Sequence, residues 1–485
     1  MRKPAKMLLS LLLSAALILG LFPALAEDAQ PLTIDNVRQY VVGVEEPVTL
    51  EDGTTRPLIN FDNAATTPAL RPVMDEVNDK LLTYGSIGRG FSKKSDISTE
   101  LYNETRNKVL SFVGLDPKDY TYTMFYVDNT TDGFNKLATA LINSSEDIVL
   151  TTRMEHHAND LPWRERSKVV GSKVLYAEVD EKGRVIYEDL ERQLKENKVK
   201  YVSVTAASNV TGYMPDVHRI AKLAHQYGAQ IIVDGAQIVA HRAFSMLGST
   251  PEENIDFFVF SAHKMYSPYG GGAVIGLSSV LDVHQPAFYG GGTVHLVRDY
   301  EVEYKSGQEA YEAGSPNYPG VVGLGKAIDV LQQIGFDKIA EHEPQLTRRM
   351  VEGLQAIPNV TVYGDTEDLD SRVGVVSFNT SEANSYELAS RMAEKSGVAT
   401  RRGAFCAHPY VWRLMGYPDE EMVAFEGCDD FKTPGLIRVS FGIYNTEEEV
   451  DEFLKVLKEN IEAIKVHNAE LNAKELWDDV MPEEY

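Results

Sequence analysis

The chain has 485 residues, enough for two or three domains of about 150 residues each. Its content of 43% hydrophobic and 25% charged residues is that of a globular protein with a sizeable core, and it excludes a disordered or fibrous chain. The formal net charge of −25 means that the surface repels nucleic acids and anionic membranes, so neither is an expected partner.

The first 26 residues have the pattern of a secretory signal peptide. Arg2, Lys3 and Lys6 form a positive start, an apolar stretch follows, and residues 24–26 read A-L-A, a typical cleavage signal. We therefore predict export, with cleavage after Ala26, to a secreted or cell-envelope location. An uncleaved membrane anchor is the alternative, but the apolar segment of about 16 residues is short for a membrane span.

Strand-like and helical patterns alternate through the middle of the chain. The strand-like runs lie at residues 120–127, 148–152, 201–205, 231–233 and 257–260. Repeats of this βαβ kind predict a mostly parallel sheet with helices on both faces, and hence an α/β fold.

Polar residues follow the first three of these strands. Thr130 and Thr131 open a helix, where hydroxyls and backbone N–H groups can bind a phosphate or simply cap the helix. His156 follows the second strand and Asn209 the third; each is a candidate site residue or an ordinary structural residue. The pair His156 and His157 lacks further ligands at metal spacing, so we predict no metal site.

Charged residues follow the last two strands. Asp234 ends one strand, and a loop with Ser261, His263 and Lys264 ends the next. Ligands of open α/β sheets bind beyond the carboxyl ends of the strands. A lysine buried there has a lowered pKa and can form a Schiff base with a carbonyl compound, whereas a surface loop would leave Lys264 solvated.

Four short sequence words resemble the class V family of pyridoxal-phosphate enzymes. They are M-E-H-H-A-N at residues 154–159, V-D-G-A-Q at 233–237, F-S-A-H-K at 260–264 and Y-E-A-G-S-P-N at 311–317. They occur in the family's order, and the resemblance is closest to its cysteine desulfurase and selenocysteine lyase branch.

The resemblance implies a fold type I architecture. Its large domain has a mostly parallel seven-stranded sheet flanked by helices, and a smaller α+β domain follows. We place the large, cofactor-binding domain at residues 59–322 and the small domain at residues 323–466. Residues 27–58 are expected to form an N-terminal arm that packs on the small domain, and residues 467–485 form a charged tail.

The resemblance also implies pyridoxal 5′-phosphate as the cofactor. Lys264 would bind it covalently and remove the substrate's Cα proton, His156 would stack on its ring and handle protons, and Asp234 would contact its pyridine nitrogen. The other implied cofactor contacts are Thr130, Thr131, Asn209, Gln237, Ser261, His263 and Ser315. In relatives the hydroxyl at the position of Ser315 crosses to the partner subunit's phosphate, so a homodimer is implied.

Four residues are implied as substrate contacts. Arg438 would clamp the substrate carboxylate with two parallel bonds, although composition alone also allows a surface strand arginine. Asn209 would contact the same carboxylate, and Ala65, in F-D-N-A-A-T-T-P, would let the backbone approach the substrate closely. Arg89 would shape the entrance of the site; it follows Gly88, where the family often has histidine.

Cys406 is the predicted nucleophile. Residues 397–409 read G-V-A-T-R-R-G-A-F-C-A-H-P and match the desulfurase word around the reactive cysteine. Neighbouring Arg401 and Arg402 favour a thiolate, which would attack the sulfur of L-cysteine and leave alanine and a persulfide on the enzyme. A disulfide with Cys428 is the alternative, and it would block the nucleophile.

Two other functions remain open at the level of sequence. One is a different class V reaction on another amino acid, by an aminotransferase, a selenocysteine or C–S lyase, or an epimerase, in which Cys406 is incidental. The other is an exported binding protein that kept the fold without the cofactor. Intact Lys264, Asp234 and His156 disfavour the second, and the sulfur acceptor does not follow from the sequence.

Overall fold

The computed structural model describes residues 31–282, 287–428 and 432–480, with side chains up to residue 469. The predicted signal peptide and its cleavage point after Ala26 lie outside the described residues. Within the described part of the chain, no helix combines the length and apolar character needed to cross a bilayer.

A large sheet forms the centre of the fold. In the described residues it has seven strands, in the spatial order Tyr122–Val127, Gly272–Leu277, Phe257–Ser261, Gln230–Asp234, Val199–Thr205, Ile148–Thr152 and Val174–Ala177. Only the strand Gly272–Leu277 pairs antiparallel with its neighbours, and the other described pairs are parallel. The prediction of an α/β fold with a mostly parallel seven-stranded sheet is confirmed.

Apolar cores lie on both faces of this sheet, which explains why its interior strand Phe257–Ser261 begins with a continuous apolar run. Phe258 and Phe260 belong to one core, and Phe257 and Val259 belong to the other. The first core includes side chains of the helices Arg71–Leu81, Lys93–Phe112, Tyr187–Glu196, Val217–Gln226 and Tyr318–Ile334. The second includes side chains of the helices Thr130–Leu141, Leu161–Val170 and Ser278–Leu281.

A smaller antiparallel sheet follows in the second part of the chain. Its strands in the described residues are, in spatial order, Val360–Tyr363, Val375–Thr380, Leu436–Ser440 and Arg401–Gly403. A separate apolar core joins it to the helices Phe336–Gln355, Ser385–Ser396 and Glu447–Val480. The short helices His408–Leu414 and Asp419–Met422 lie between its last two strands in sequence.

Short paired strands complete the fold. Pro47–Thr49 pairs with Thr55–Pro57, and Val294–Val297 pairs with Val302–Tyr304. Ile59–Asn60 runs parallel to Val398–Ala399, which ties the start of the large region to the small one.

The N-terminal arm contacts the region of the small sheet. Glu51 donates its backbone N–H to the carbonyl of Glu394 at 3.0 Å, and Arg56 lies 3.6 Å from the carboxylate of Glu452. Both contacts join the arm to helices that pack on the small sheet.

The predicted division between the large and the small domain, at residues 322–323, falls inside the helix Tyr318–Ile334.

The last described helix begins with a capping box. Thr446 donates its backbone N–H to Glu449 Oε2 at 3.1 Å, and Glu449 donates its own to Thr446 Oγ1 at 3.3 Å. The helix continues from Glu447 to Val480 and so runs through the predicted start of the tail at residue 467.

A buried ionic cluster links the helix Phe336–Gln355 to the large sheet. Glu343 on this helix bonds to His241 Nδ1, and Arg242 Nη1 donates to its other carboxylate oxygen at 2.6 Å. Arg242 also donates to the carbonyl of Arg372 at 3.1 Å. Burial alone would raise the pKa of Glu343, but His241 and Arg242 lower it to about 2.

We expect Glu343→Gln to lower the free energy of unfolding by about 3 kcal/mol at pH 7, because it leaves the partly buried Arg242 without its counter-charge. The folded pKa of Glu343, about 2, lies below its ordinary value of 4.5. The stabilisation is therefore complete above that ordinary value and is lost as the pH falls towards 2. Urea titrations of both proteins at pH 7 and pH 3 measure this difference.

The matched control is Glu341→Gln on the same helix. Glu341 is exposed and its carboxylate lies 2.8 Å from Lys338, so its loss should cost at most about 0.5 kcal/mol. Equal losses in the two variants, or a difference that does not shrink at pH 3, would contradict the prediction.

Candidate active site

A cavity of about 640 Å³ lies where the carboxyl ends of the parallel strands face the small sheet. Its walls contain all of the predicted site residues except Arg89 and Ser315. These lining residues are Ala65, Thr130, Thr131, His156, Asn209, Asp234, Gln237, Ser261, His263, Lys264, Cys406 and Arg438. Chain segments from five strand ends and from the small sheet thus meet at one place.

Lys264 and Asp234 follow two adjacent parallel strands. Lys264 ends the short 3₁₀ turn Ala262–Lys264, directly after the strand Phe257–Ser261. Burial lowers its pKa to about 8 against the attraction of Asp234, and Arg438 lowers it further. Burial raises the pKa of Asp234 to about 6, although the N–H of Ala236 donates to it at 2.9 Å. Near pH 8, a substantial part of Lys264 is therefore a neutral amine and Asp234 is ionised.

His156 is a neutral imidazole whose tautomer is set by the backbone. The N–H of Ala158 donates to His156 Nδ1 at 3.0 Å, so the ring proton is on Nε2. Burial, followed by the charge of Lys264 and by His157, lowers the pKa of His156 to about 3. His156 can therefore stack and donate from Nε2, whereas its cationic form is not populated near neutral pH. The described residues contain no group of three potential metal ligands around it.

Hydroxyls and a helix N-terminus line one end of the cavity. Thr130 begins the helix Thr130–Leu141, and its N–H donates to Ser261 Oγ at 2.7 Å, while the two hydroxyl oxygens are 2.6 Å apart. His263 Nδ1 lies 3.2 Å from Thr66 Oγ1, and burial, with Lys264, lowers the pKa of His263 to about 4. This end suits a phosphate, because a helix N-terminus and neutral hydrogen-bond donors surround it.

Arg438 occupies the opposite wall and is held in place by a carboxylate. It is 3% exposed, and its Nη2 donates to Asp62 Oδ1 at 3.1 Å, while Nη1 donates to the carbonyl of Asn209 at 3.0 Å. Burial lowers its pKa to about 10 despite Asp62, so Arg438 stays cationic. Sequence reasoning missed Asp62, although it lies three residues before Ala65 in a sequence word already noted.

Cys406 lies in a tight turn with unusual backbone angles. Phe405 and Cys406 have φ values of 51° and 54°, and the N–H of Ala407 donates to the carbonyl of Ala404 at 2.8 Å, as in a type I′ turn. Left-handed conformations of non-glycine residues cost of order 1–3 kcal/mol each and need support from their surroundings.

Two hydrogen bonds from the large region supply this support. The N–H of His157 donates to the carbonyl of Cys406, and Asn209 Nδ2 donates to the carbonyl of Phe405, both at 2.7 Å. Asn209 was predicted to contact cofactor and substrate; in this structure it lines the cavity, and one of its amide hydrogens also holds the turn that contains Cys406. The guanidinium of Arg438 lies 4.9 Å from the centre of the Phe405 ring.

The thiol of Cys406 is free and exposed, as is that of Cys428, so the structure contains no disulfide between them. Cys406 lines the same cavity as Lys264 and Arg438. The thiol, the amine and the guanidinium thus meet at one site.

Arg89 and Ser315 lie outside this cavity. Together they border a second cavity of about 340 Å³, which Arg106 and Glu312 also line. The prediction that Ser315 binds the cofactor phosphate of a partner subunit concerns a second chain. The position of Ser315 in one chain does not test it. Arg89 lies next to the glycine loop at Gly292 rather than beside Arg438.

Glu155 is a second residue that the sequence reasoning passed over, although it belongs to the word M-E-H-H-A-N. It is 4% exposed and accepts hydrogen bonds from Thr152 Oγ1 and Asn159 Nδ2, each at 2.6 Å. Burial raises its pKa to about 8, and the charge of Asp234 adds to this. Glu155 is therefore largely protonated at pH 7, which leaves Asp234 as the ionised acid of the pair.

The polar groups of the cavity fit pyridoxal phosphate. Among the described residues, Gln237 Oε1 and Arg438 Nε are buried without a hydrogen-bond partner, although Gln237 Nε2 donates to the carbonyl of Ala64 at 2.9 Å. Buried polar atoms are rarely left unpaired in proteins, so these two favour a bound polar molecule. Lys264 suits an aldehyde, and Asp234 suits a protonated pyridine nitrogen.

Comparisons with known proteins agree with this geometry. The family model "Aminotransferase class-V" matches residues 59–453. A probable cysteine desulfurase from Halalkalibacterium halodurans is 32% identical over 421 residues, covering 86% of this chain and 96% of its own. A cysteine desulfurase from an Enterobacter species is 32% identical over 426 residues, covering 86% and 97%.

Solved structures of the same kind are similar in fold. The apo cysteine desulfurase from Thermococcus onnurineus has a TM-score of 0.74 at 30% identity, and the match covers 84% of this chain and 95% of that one. An Escherichia coli cysteine desulfurase in an S-sulfonic acid form has a TM-score of 0.72 at 25% identity, covering 89% and 99%.

We expect the cofactor-free protein to take up pyridoxal phosphate faster as the pH rises, with a midpoint near 8. Only the neutral amine of Lys264 attacks an aldehyde, and its pKa is about 8. Asp234→Asn should move the midpoint lower, because the charge of Asp234 favours the ammonium form. Stopped-flow absorbance between pH 6 and pH 10 measures the rate, with Lys264→Ala as the blank; a midpoint near 10.5 would refute the assignment.

Proposed function

Because the chain belongs to the aminotransferase class-V family, we propose that it is a pyridoxal-phosphate-dependent cysteine desulfurase, which converts L-cysteine to L-alanine and takes up the sulfur on Cys406. One observation carries this proposal: the thiol of Cys406 lines the same cavity as Lys264, Asp234 and Arg438. An aminotransferase needs the lysine and the acid but no thiol. The activity named for the similar curated proteins supports the same conclusion.

The chain's own residues would bind the substrate and move its proton. Arg438 holds the substrate carboxylate through Nε and the hydrogens that its bonds to Asp62 and Asn209 leave available. When bound, pyridoxal phosphate withdraws electrons from the substrate's amine-bearing carbon and so makes its Cα proton acidic. Lys264, whose amine is partly neutral near pH 8, accepts that proton. His156 lines the cavity wall with its ring proton on Nε2, where it can donate a hydrogen bond.

Sulfur transfer would occur at Cys406. Its thiolate attacks the sulfur of L-cysteine, so a new S–S bond forms on Cys406 as the substrate's C–S bond breaks. A proton replaces sulfur on the carbon, and the products are alanine and a Cys406 persulfide. The reaction balances without an added oxidant, because the sulfur is oxidised as the carbon is reduced. The hydrogen bonds from His157 and Asn209 keep the turn in position for this attack.

We also propose that the protein acts as an exported homodimer. The homodimer rests on Ser315, which lies outside the main cavity of its own chain and whose family counterpart serves the partner subunit's phosphate. Export rests on the residue pattern of positions 1–26. Analytical ultracentrifugation and N-terminal sequencing of the natural protein test the two parts separately.

We expect Cys406→Ser to lower the production of alanine and sulfide from L-cysteine by at least about 100-fold, because a hydroxyl cannot accept the sulfur. The visible absorbance of the bound cofactor should remain in this variant and disappear in Lys264→Ala. Assays with a reducing agent on the cofactor-loaded protein measure both effects.

Cys428→Ser is the matched control, since it removes the other exposed thiol and should leave turnover unchanged. Colour without alanine from L-cysteine in the wild type would instead indicate another class V reaction. A colourless wild-type protein that binds no cofactor would indicate a binding protein.

A further inference from the structure

A third cavity lies on the other side of the turn that contains Cys406. It encloses about 620 Å³, and Arg401, Phe405 and Cys406 line both this cavity and the main one. We call it the outer cavity. Its other lining residues are Thr400, Arg402, Gly403, Ala404, His408, Trp412, Met422, Phe425, Glu426, Thr433 and Pro434. Cys406 therefore borders two separate spaces, and only one of them contains the groups that would bind cofactor and substrate.

Residues that lie between the last two strands of the small sheet in sequence form the far wall of the outer cavity. Trp412 Nε1 contacts the carbonyl of Pro434 at 3.4 Å, and the rings of Trp412 and His408 have their centres 5.1 Å apart. Met422 is buried at this wall. A space of this size, with aromatic walls, is typical of a small-molecule site, and it is too small for a folded protein to enter.

The charges around the outer cavity favour an anion. Arg401 and Arg402 border it, and Glu426 is its only lining carboxylate among the described residues. Arg401 Nη1 is 3.8 Å from Asp62, but the same carboxylate already accepts a hydrogen bond from the buried Arg438 at 3.1 Å. The positive charge of Arg401 is therefore only partly compensated on this side of the turn.

We propose that the outer cavity binds the sulfur acceptor, and that this acceptor is a small thiol with two or more carboxylates. The inference rests on the proposed desulfurase function and identifies the class of its second substrate. The acceptor's thiolate attacks the outer sulfur of the Cys406 persulfide. A new S–S bond forms on the acceptor as the bond between that sulfur and Cys406 Sγ breaks. Cys406 leaves as a thiolate, so the step needs no oxidant or reductant.

The step can be measured in isolation. The cofactor-loaded protein is first mixed with L-cysteine, the alanine released per protomer is counted, and excess substrate is removed by gel filtration. The persulfide that remains is then chased with mercaptosuccinate, which has two carboxylates, or with uncharged 2-mercaptoethanol. Cyanolysis of quenched samples gives the rate at which the protein loses its sulfur. We expect this rate to saturate with mercaptosuccinate and to stay linear with 2-mercaptoethanol.

Charge variants of the outer cavity give the decisive comparison. The readout is the ratio of the second-order rate constants for the two thiols, because this ratio cancels any change in the reactivity of Cys406 itself. We expect Arg402→Gln to lower the ratio about tenfold, Arg402→Lys to restore most of it, and Glu426→Lys to raise it. Met422→Trp should slow both thiols, because the larger side chain fills the space.

Several outcomes would overturn the inference. A rate that is linear in mercaptosuccinate, a ratio of rate constants that Arg402→Gln and Glu426→Lys do not move, or a chase that requires Cys428 would each do so. A persulfide that reacts only with a protein thiol would also do so, because that acceptor cannot enter the outer cavity. Failure of the proposed desulfurase function is seen earlier, as the absence of alanine in the loading step. That result would overturn both the proposed function and the acceptor site.

Discussion

This structure depends on one constraint: several charged side chains are buried together, away from water, around one cavity. Lys264, Asp234 and Arg438 surround one cavity, and burial is the largest cause of the pKa shift of each. Each shift is towards the neutral form, as desolvation requires. The parallel sheet makes the arrangement possible, because two adjacent strands end in Asp234 and in the loop with Lys264. Arg438 comes from the small sheet and is kept cationic with the help of Asp62.

The site depends on contacts between the two sheets. The amine and the acid belong to the large sheet, whereas Arg438 and Cys406 belong to the segment that forms the small one. The contacts that hold them together are specific: Asn209 reaches both Phe405 and Arg438, and His157 reaches Cys406. Away from the cavity, Glu343 and Arg242 form a buried ionic contact between the same two regions. Relative movement of the sheets would therefore change the distance between the amine and the thiol.

Sequence patterns predicted the parts of the molecule that are local. The apolar run before Ser261 and the motif around Cys406 are each a continuous stretch of sequence. The strand, the fold class and most lining residues of the cavity could therefore be predicted from such stretches. The contacts missed, or assigned to other partners, are between distant segments. Asp62 and Arg438 are 376 residues apart, and the amide of Asn209 reaches a carbonyl 196 residues away. No periodicity in the sequence indicates such pairs, and the predicted role of Ser315 also involves a second chain.

The pair of left-handed residues at Phe405 and Cys406 restricts how far sulfur can travel. A turn closed by its own hydrogen bond and held by two others cannot swing like a long flexible arm. Movement of the sulfur is then limited to rotation about the Cα–Cβ and Cβ–Sγ bonds of one side chain, plus an S–S bond of about 2 Å. A sulfur atom carried on Cys406 can therefore rotate but cannot travel, and its acceptor has to come within bonding distance of this residue.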